Sequence, residues 1–155
     1  MKQSLVLFIT ILSFTAACSV LTLQPANFSW PLESVLPIDD YGNVVEDRYS
    51  LEFNTVGLFY DEFQDSLSFK GKELRLIRNN QGLYFITAPK FKNVYVFRAD
   101  EGKMVQTNKI FISEFGLQIP AFNQRNPYIE LVDGSNKMNL SSQGIEGGAK
   151  WNIFI

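Results

Sequence analysis

Apolar and polar residues alternate in twos along much of this chain, and that period is the signature of half-buried β-strands. Over residues 44–53, Val45, Tyr49, Leu51 and Phe53 alternate with Glu46, Arg48, Ser50 and Glu52, which predicts one strand with those apolar residues on its inner face. The preceding Asp39-Asp40-Tyr41-Gly42-Asn43 is turn chemistry, since Asp and Asn tolerate unusual backbone angles and Gly supplies a positive φ. Residues 32–38 are expected to pair across that turn as a hairpin, at a sheet edge because Pro31 and Pro37 flank or fill it. Residues 54–63 break the alternation. Val56, Phe59, Tyr60 and Phe63 recur at helical spacing behind Asn54 or Thr55 as a cap, which predicts a short helix that Gly57 weakens.

Further strands are expected at 67–69, 73–77, 83–87, 94–98, 104–106, 109–113, 117–119, 128–132, 137–140 and 151–155, where β-branched and aromatic residues gather between turn signals. The strongest hairpin turns are Asn79-Asn80-Gln81-Gly82 and Asp100-Glu101-Gly102. Roughly ten short strands without a long helix predict an all-β fold, an antiparallel β-sandwich or a barrel-like domain. Ile153 and Ile155, in the last of these segments, are expected to be packed.

The opening residues follow a different logic. Lys2 precedes an apolar run from Leu5 to Phe14, and Thr15-Ala16-Ala17 then lead to Cys18, the only cysteine. One positive charge, a short apolar stretch and small residues before a cut site make a secretory signal peptide. The Thr15-Ala16-Ala17-Cys18 segment resembles the lipobox of bacterial lipoprotein precursors, although Thr15 stands where an aliphatic residue is usual. The resemblance covers residues 1–18 alone. It implies cleavage before Cys18, acylation of that cysteine, and a bacterial envelope protein held on the bilayer by lipid. Ser19, rather than Asp, implies transfer to the outer membrane in a diderm cell, with the side it faces left open. The expected organisation is a signal peptide over 1–17, a lipidated cysteine and tether over 18–28, and one β-rich domain over 29–155. A plain signal peptide, a buried structural helix and an uncleaved anchor are the other readings, the last because the uncharged stretch from Leu5 to Leu23 approaches the roughly 20 residues that span a bilayer.

Composition narrows the chemistry. A net charge of -2 offers no basic footprint for a phosphate backbone, so no nucleic-acid partner is expected. With no His and one Cys, triads built on His, Cys/His metal sites and an internal disulfide are excluded. The 14 Phe residues supply core material instead. Carboxylates remain as candidate catalysts, clustered at Asp39-Asp40, Glu46-Asp47 and Asp61-Glu62 with Asp65, but glycoside hydrolysis needs two of them facing one another at a defined separation. Solvated turns and strand faces account for them more simply. The Asp39–Asn43 stretch lacks the alternate donors of an EF-hand loop, and no metal or other cofactor is expected. The Gly-rich 144–150 stretch lacks the order of a phosphate loop.

The most polar-dense loop, with aromatics at both ends, is expected over 121–128. Phe122, Asn123, Gln124, Arg125 and Tyr128 there combine ring faces with amide and guanidinium donors, the equipment of sugar or peptide recognition. Trp30, Tyr41, Tyr60 and Trp151 are further stacking candidates. The sequence therefore points to a non-catalytic, membrane-anchored domain that binds an envelope protein or glycan, or has a structural part there. A carbohydrate-active enzyme, or its accessory subunit, using paired carboxylates is the alternative.

Overall fold

The computed structural model describes residues 32–147. Eleven antiparallel strands and one α-helix occupy them. Strand β1 is Ser34–Pro37, β2 Asn43–Glu46, β3 Leu51–Asn54, β4 Glu73–Arg78, β5 Leu83–Thr87 and β6 Asn93–Asp100. The remainder are β7 Lys103–Phe111, β8 Pro120–Arg125, β9 Tyr128–Asp133, β10 Asn136–Leu140 and β11 Ile145–Glu146, and helix α1 is Val56–Phe63. A five-stranded sheet in the order β1-β4-β5-β6-β7 faces a four-stranded sheet in the order β11-β10-β9-β8. This is an all-β, sandwich-like domain, as the alternation indicates.

The central strands explain the layering. In β5, Tyr84, Phe85, Ile86 and Thr87 are all buried, so both of its faces are covered. Ile77, Phe85, Val94, Val96 and Ile110 point toward Phe122, Ile129, Leu131, Met138 and Leu140 of the facing sheet. From the opposite face, Leu74, Leu76, Tyr84, Ile86 and Tyr95 meet Phe59, Phe69, Phe91 and Val44 in a second core. A third layer, made of α1 and the β2–β3 hairpin, covers that second core. A strand buried on both sides needs apolar side chains on both, which is why β5 and β6 read as continuous apolar runs.

Several expectations of local structure are corrected. The 44–53 strand is a hairpin, in which a 3-10 turn at Asp47–Tyr49 separates β2 from β3 and Ser50 takes φ 51°. The turn reverses the chain and resets the alternation, so Val44 and Glu46 face inward while Val45 is 56% exposed. Residues 32–38 do not pair with that hairpin. Instead β1 pairs with β4, Ser34 opposite Leu76 and Leu36 opposite Leu74, although its edge position is as expected. The 39–43 turn is thus a corner between layers, held by the Asp39 carboxylate accepting from the Tyr41 and Asn43 amides. The expected helix forms, and Asn54 Oδ1 accepts from the Val56 amide at its start.

The expected strand at 67–69 is a run of turns begun by Asp65, and it drops Phe69 into the second core. Residues 104–113 contain one long strand, not two. Val96 pairs with Asn108 and Phe97 with Gln106, so Thr107 is an extra, bulged residue that breaks the apparent pattern. Residues 117–119 form an irregular approach to β8, where the buried Asp133 carboxylate accepts from the Gln118 and Ile119 amides. Gly116 takes φ +72° there, and a Cβ would lie 2.4 Å from the Lys90 carbonyl oxygen, so only glycine fits this crossing. The expected strand at 151–155, the signal segment, Cys18, Trp30 and Trp151 lie outside the described residues.

Candidate binding face

The 121–128 stretch is a β-hairpin, not a loop: β8 and β9 run antiparallel, with a turn at the cis Asn126–Pro127 bond. Hairpin geometry divides its side chains by parity. Phe122 points inward and is 3% exposed within the inter-sheet core, so it belongs to the packing. Gln124 also turns inward and donates to Asn126 Oδ1 at 2.6 Å. The same oxygen accepts from Asn80 Nδ2 at 2.8 Å, which ties this turn to the β4–β5 turn. Asn123, Arg125 and Tyr128 alternate with them, on the outer face of the four-stranded sheet.

Register sets their neighbours on that face. Asn123 stands opposite Glu130, Arg125 opposite Tyr128, and Asn139 of β10 is next to Glu130 on the other side. Glu130 is the organising group. One of its carboxylate oxygens accepts from Asn123 Nδ2 at 3.1 Å and lies 3.6 Å from Arg125 Nε, while Glu130 itself is only 14% exposed. The row therefore presents amide, guanidinium and phenol on one face of the sheet, oriented by one largely sheltered carboxylate. Sequence reasoning named three of these residues and missed Glu130 and Asn139. The Asn126-Pro127 pair was the signal that could have found them, because a turn there puts Asn123 opposite Glu130.

The acidic clusters occupy other places. Glu46 is buried and paired with Arg48 at 2.7 Å, and that guanidinium also donates to the Ser34 hydroxyl. Asp61 and Glu62 fasten α1 to the five-stranded sheet. The buried Tyr95 hydroxyl lies 2.6 Å from Asp61 Oδ2 and 2.9 Å from Glu62 Oε1. Glu62 further accepts from Asn93 Nδ2 and the Lys92 amide, each at 2.8 Å, and Asp61 Oδ2 accepts from Lys109 Nζ at 2.6 Å. These carboxylates satisfy donors on β6, β7 and the loop before them. Among the described residues no three acidic, His or Cys side chains gather as a metal-binding group. Tyr41 sits in the corner turn and Tyr60 on α1, neither on the four-stranded sheet.

The ionisation of this cluster follows from its contacts. The Lys109 ammonium, then the Tyr95 hydroxyl, hold the Asp61 carboxyl below its ordinary 3.8. Burial, followed by the neighbouring carboxylates, pushes the Tyr95 phenol far up and keeps it protonated as a donor. A carboxyl lowered on folding stabilises the fold above its unfolded pKa, and loses that contribution as pH falls through the folded value. The expected result is that Lys109→Gln returns the Asp61 titration midpoint toward 3.8 in an NMR pH series. Because Asp61 is half exposed, the expected stability loss at neutral pH is about 0.3–1 kcal/mol, shrinking below about pH 4. An unmoved midpoint would mean that Lys109 does not set it.

The opposite edge of the sandwich is pinned by Glu33. Its carboxylate accepts from the Phe122 amide of β8 at 2.8 Å and pairs with Arg75 of β4 at 3.2 Å, bridging the two sheets. Burial raises its pKa, partly offset by the Phe122 amide and the Arg75 charge.

Fold and face together define a class: a β-sandwich with a helix-and-hairpin third layer and a polar row on the outer face of its four-stranded sheet. Compared with known protein families, with curated proteins and with solved structures, the chain matches none. Among the described residues, no helix is long and apolar enough to cross a membrane.

Proposed function

We propose that the protein is a lipid-anchored component of the bacterial envelope whose domain binds a glycan through the outer face of β8, β9 and β10, without catalysis. The observation that carries the binding role is the ordered Asn123–Glu130–Arg125 row beside Tyr128. An exposed polar row gains affinity when its side chains are already held in place, since less rotamer freedom is lost on binding. A Tyr ring beside amide and guanidinium donors suits the alternating C–H and hydroxyl surfaces of a sugar. The anchor rests on Thr15-Ala16-Ala17-Cys18. Acyl chains contribute about 0.8 kcal/mol per buried methylene, and two chains hold a protein stably where one does not. Anchoring raises the local concentration of the domain near envelope glycans, so modest intrinsic affinity suffices.

The test is a glycan panel applied to detergent-solubilised protein, read for both binding and product. Saturable binding without product is expected, weakened at least tenfold by Arg125→Ala combined with Tyr128→Ala, about 1.4 kcal/mol. Product formation abolished by replacing one carboxylate would support the carbohydrate-active enzyme instead. Binding of an envelope protein alone, with no glycan retained, would replace the glycan as partner.

A further inference from the structure

A cleft lies at the β10–β11 edge of the four-stranded sheet, separated from β8 by β9 and β10, at the end where the β8–β9 turn also lies. There β6 and β7 run on past the end of the inter-sheet core, and Arg98, Ala99 and Asp100 emerge exposed. The turn between β10 and β11 rises against this ledge, and Asn108 Nδ2 donates to the Ser142 carbonyl at 2.9 Å across the gap. Between them opens a cleft of about 440 Å³ lined by Leu83, Arg98, Thr107, Asn108, Ser142 and Gln143. Its shape comes from the β-bulge. The extra residue Thr107 is turned so that its hydroxyl donates to the Val96 carbonyl at 3.1 Å, leaving its lone pairs to accept. Bulges commonly re-aim side chains in this way beside functional sites.

We propose that this cleft binds a small polyhydroxylated carboxylate, a sugar acid. Arg98 is the only charged residue in the lining, so the cleft favours an anion. A guanidinium pairs with a carboxylate through two parallel hydrogen bonds, which a point charge cannot imitate. Arg98 commits one terminal nitrogen to Asp100 at 3.1 Å and has no other partner among the described residues. The Thr107 and Ser142 hydroxyls and the Gln143 amide offer donors and acceptors for ligand hydroxyls, and Leu83 offers one apolar wall for a ring's C–H face. The volume falls within the range of about 300–1,000 Å³ that small-ligand sites occupy. This site shares no residue with the proposed glycan-binding face, so either can fail alone.

The experiment titrates full-length, detergent-solubilised, 15N-labelled protein with glucuronate, glucose and inorganic phosphate. Glucuronate is expected to shift the amide signals of Thr107, Asn108, Ser142 and Gln143 and leave Asn123 and Arg125 of β8 unmoved. Arg98→Gln is expected to weaken binding at least tenfold, and Arg98→Lys to restore only part of it. Asp100→Asn, which removes the competing carboxylate, is expected to tighten it. Unmoved cleft signals at millimolar glucuronate would overturn the proposal. So would equal binding of glucose or phosphate, or an Arg98→Gln variant that binds as well as the wild type. Shifts confined to the β8–β9 hairpin would likewise overturn it, while supporting the other face.

Discussion

Replacing Phe59 by Ala is expected to destabilise the domain by about 3–5 kcal/mol, the cost of removing a large aromatic from a closed core. Phe59 is the one buried residue of α1 and has no exposed surface. Its ring meets Phe91 edge-on at 4.9 Å and lies 6.1 Å from Phe63 and 6.5 Å from Phe69. An eight-residue helix does not persist alone in water, so α1 exists because this face is packed. Losing the ring therefore leaves a cavity and also loosens the layer that covers Leu74, Leu76 and Ile86. Against a typical total of about 5–15 kcal/mol, much of the stability would go. Urea unfolding followed by fluorescence checks it. Leu67→Ala, at a residue 59% exposed on the same side, is the control and is expected to change stability by less than about 0.5 kcal/mol. A Phe59→Ala loss below about 1 kcal/mol would mean that the third layer is not held by this cluster.

The second large effect concerns location. Under the proposed anchoring, Cys18→Ser removes the only sulfur that can be acylated. Metabolic labelling with palmitate is expected to fall to background, and the protein to leave the membrane fraction or to stall as precursor. The β-domain lies downstream of this position and is expected to keep its unfolding midpoint, which separates an anchoring defect from a folding one. Full membrane retention without label would favour the uncleaved anchor formed by the Leu5 to Leu23 stretch.

Much of the sandwich was legible because its strands alternate or run apolar between clear turns. Strands β4, β5, β6, β9 and β10 fall close to where composition places them, and the 79–82 and 100–102 turns are hairpin turns. The misreadings share a cause: a period-two pattern does not reveal where it is interrupted. A 3-10 turn inside 44–53 and one extra residue at Thr107 each shift the phase, and only pairing register exposes them. The third layer was illegible for a related reason. Apolar residues on both faces of β5 say that something covers each face, not that a helix and hairpin cover one of them.

The candidate site was legible in composition and misplaced in geometry. Arg125, Asn123 and Tyr128 do share a face, but Phe122 and Gln124 belong to the other side of the same strand pair. Parity within β8 decides this, and a segment read as a loop has no parity. Glu130 went unnoticed because its part depends on standing opposite Asn123. The cleft at Arg98 had no sequence signal at all, since its lining comes from β5, β6, β7 and a turn distant in the chain.

The most direct measurement is the mass of the first peptide of the protein purified from native membranes. The proposed anchoring predicts a chain beginning at Cys18, followed by Ser19, with fatty acid on the cysteine. A chain that still starts at Met1, or a Cys18 thiol carrying no lipid, would contradict it.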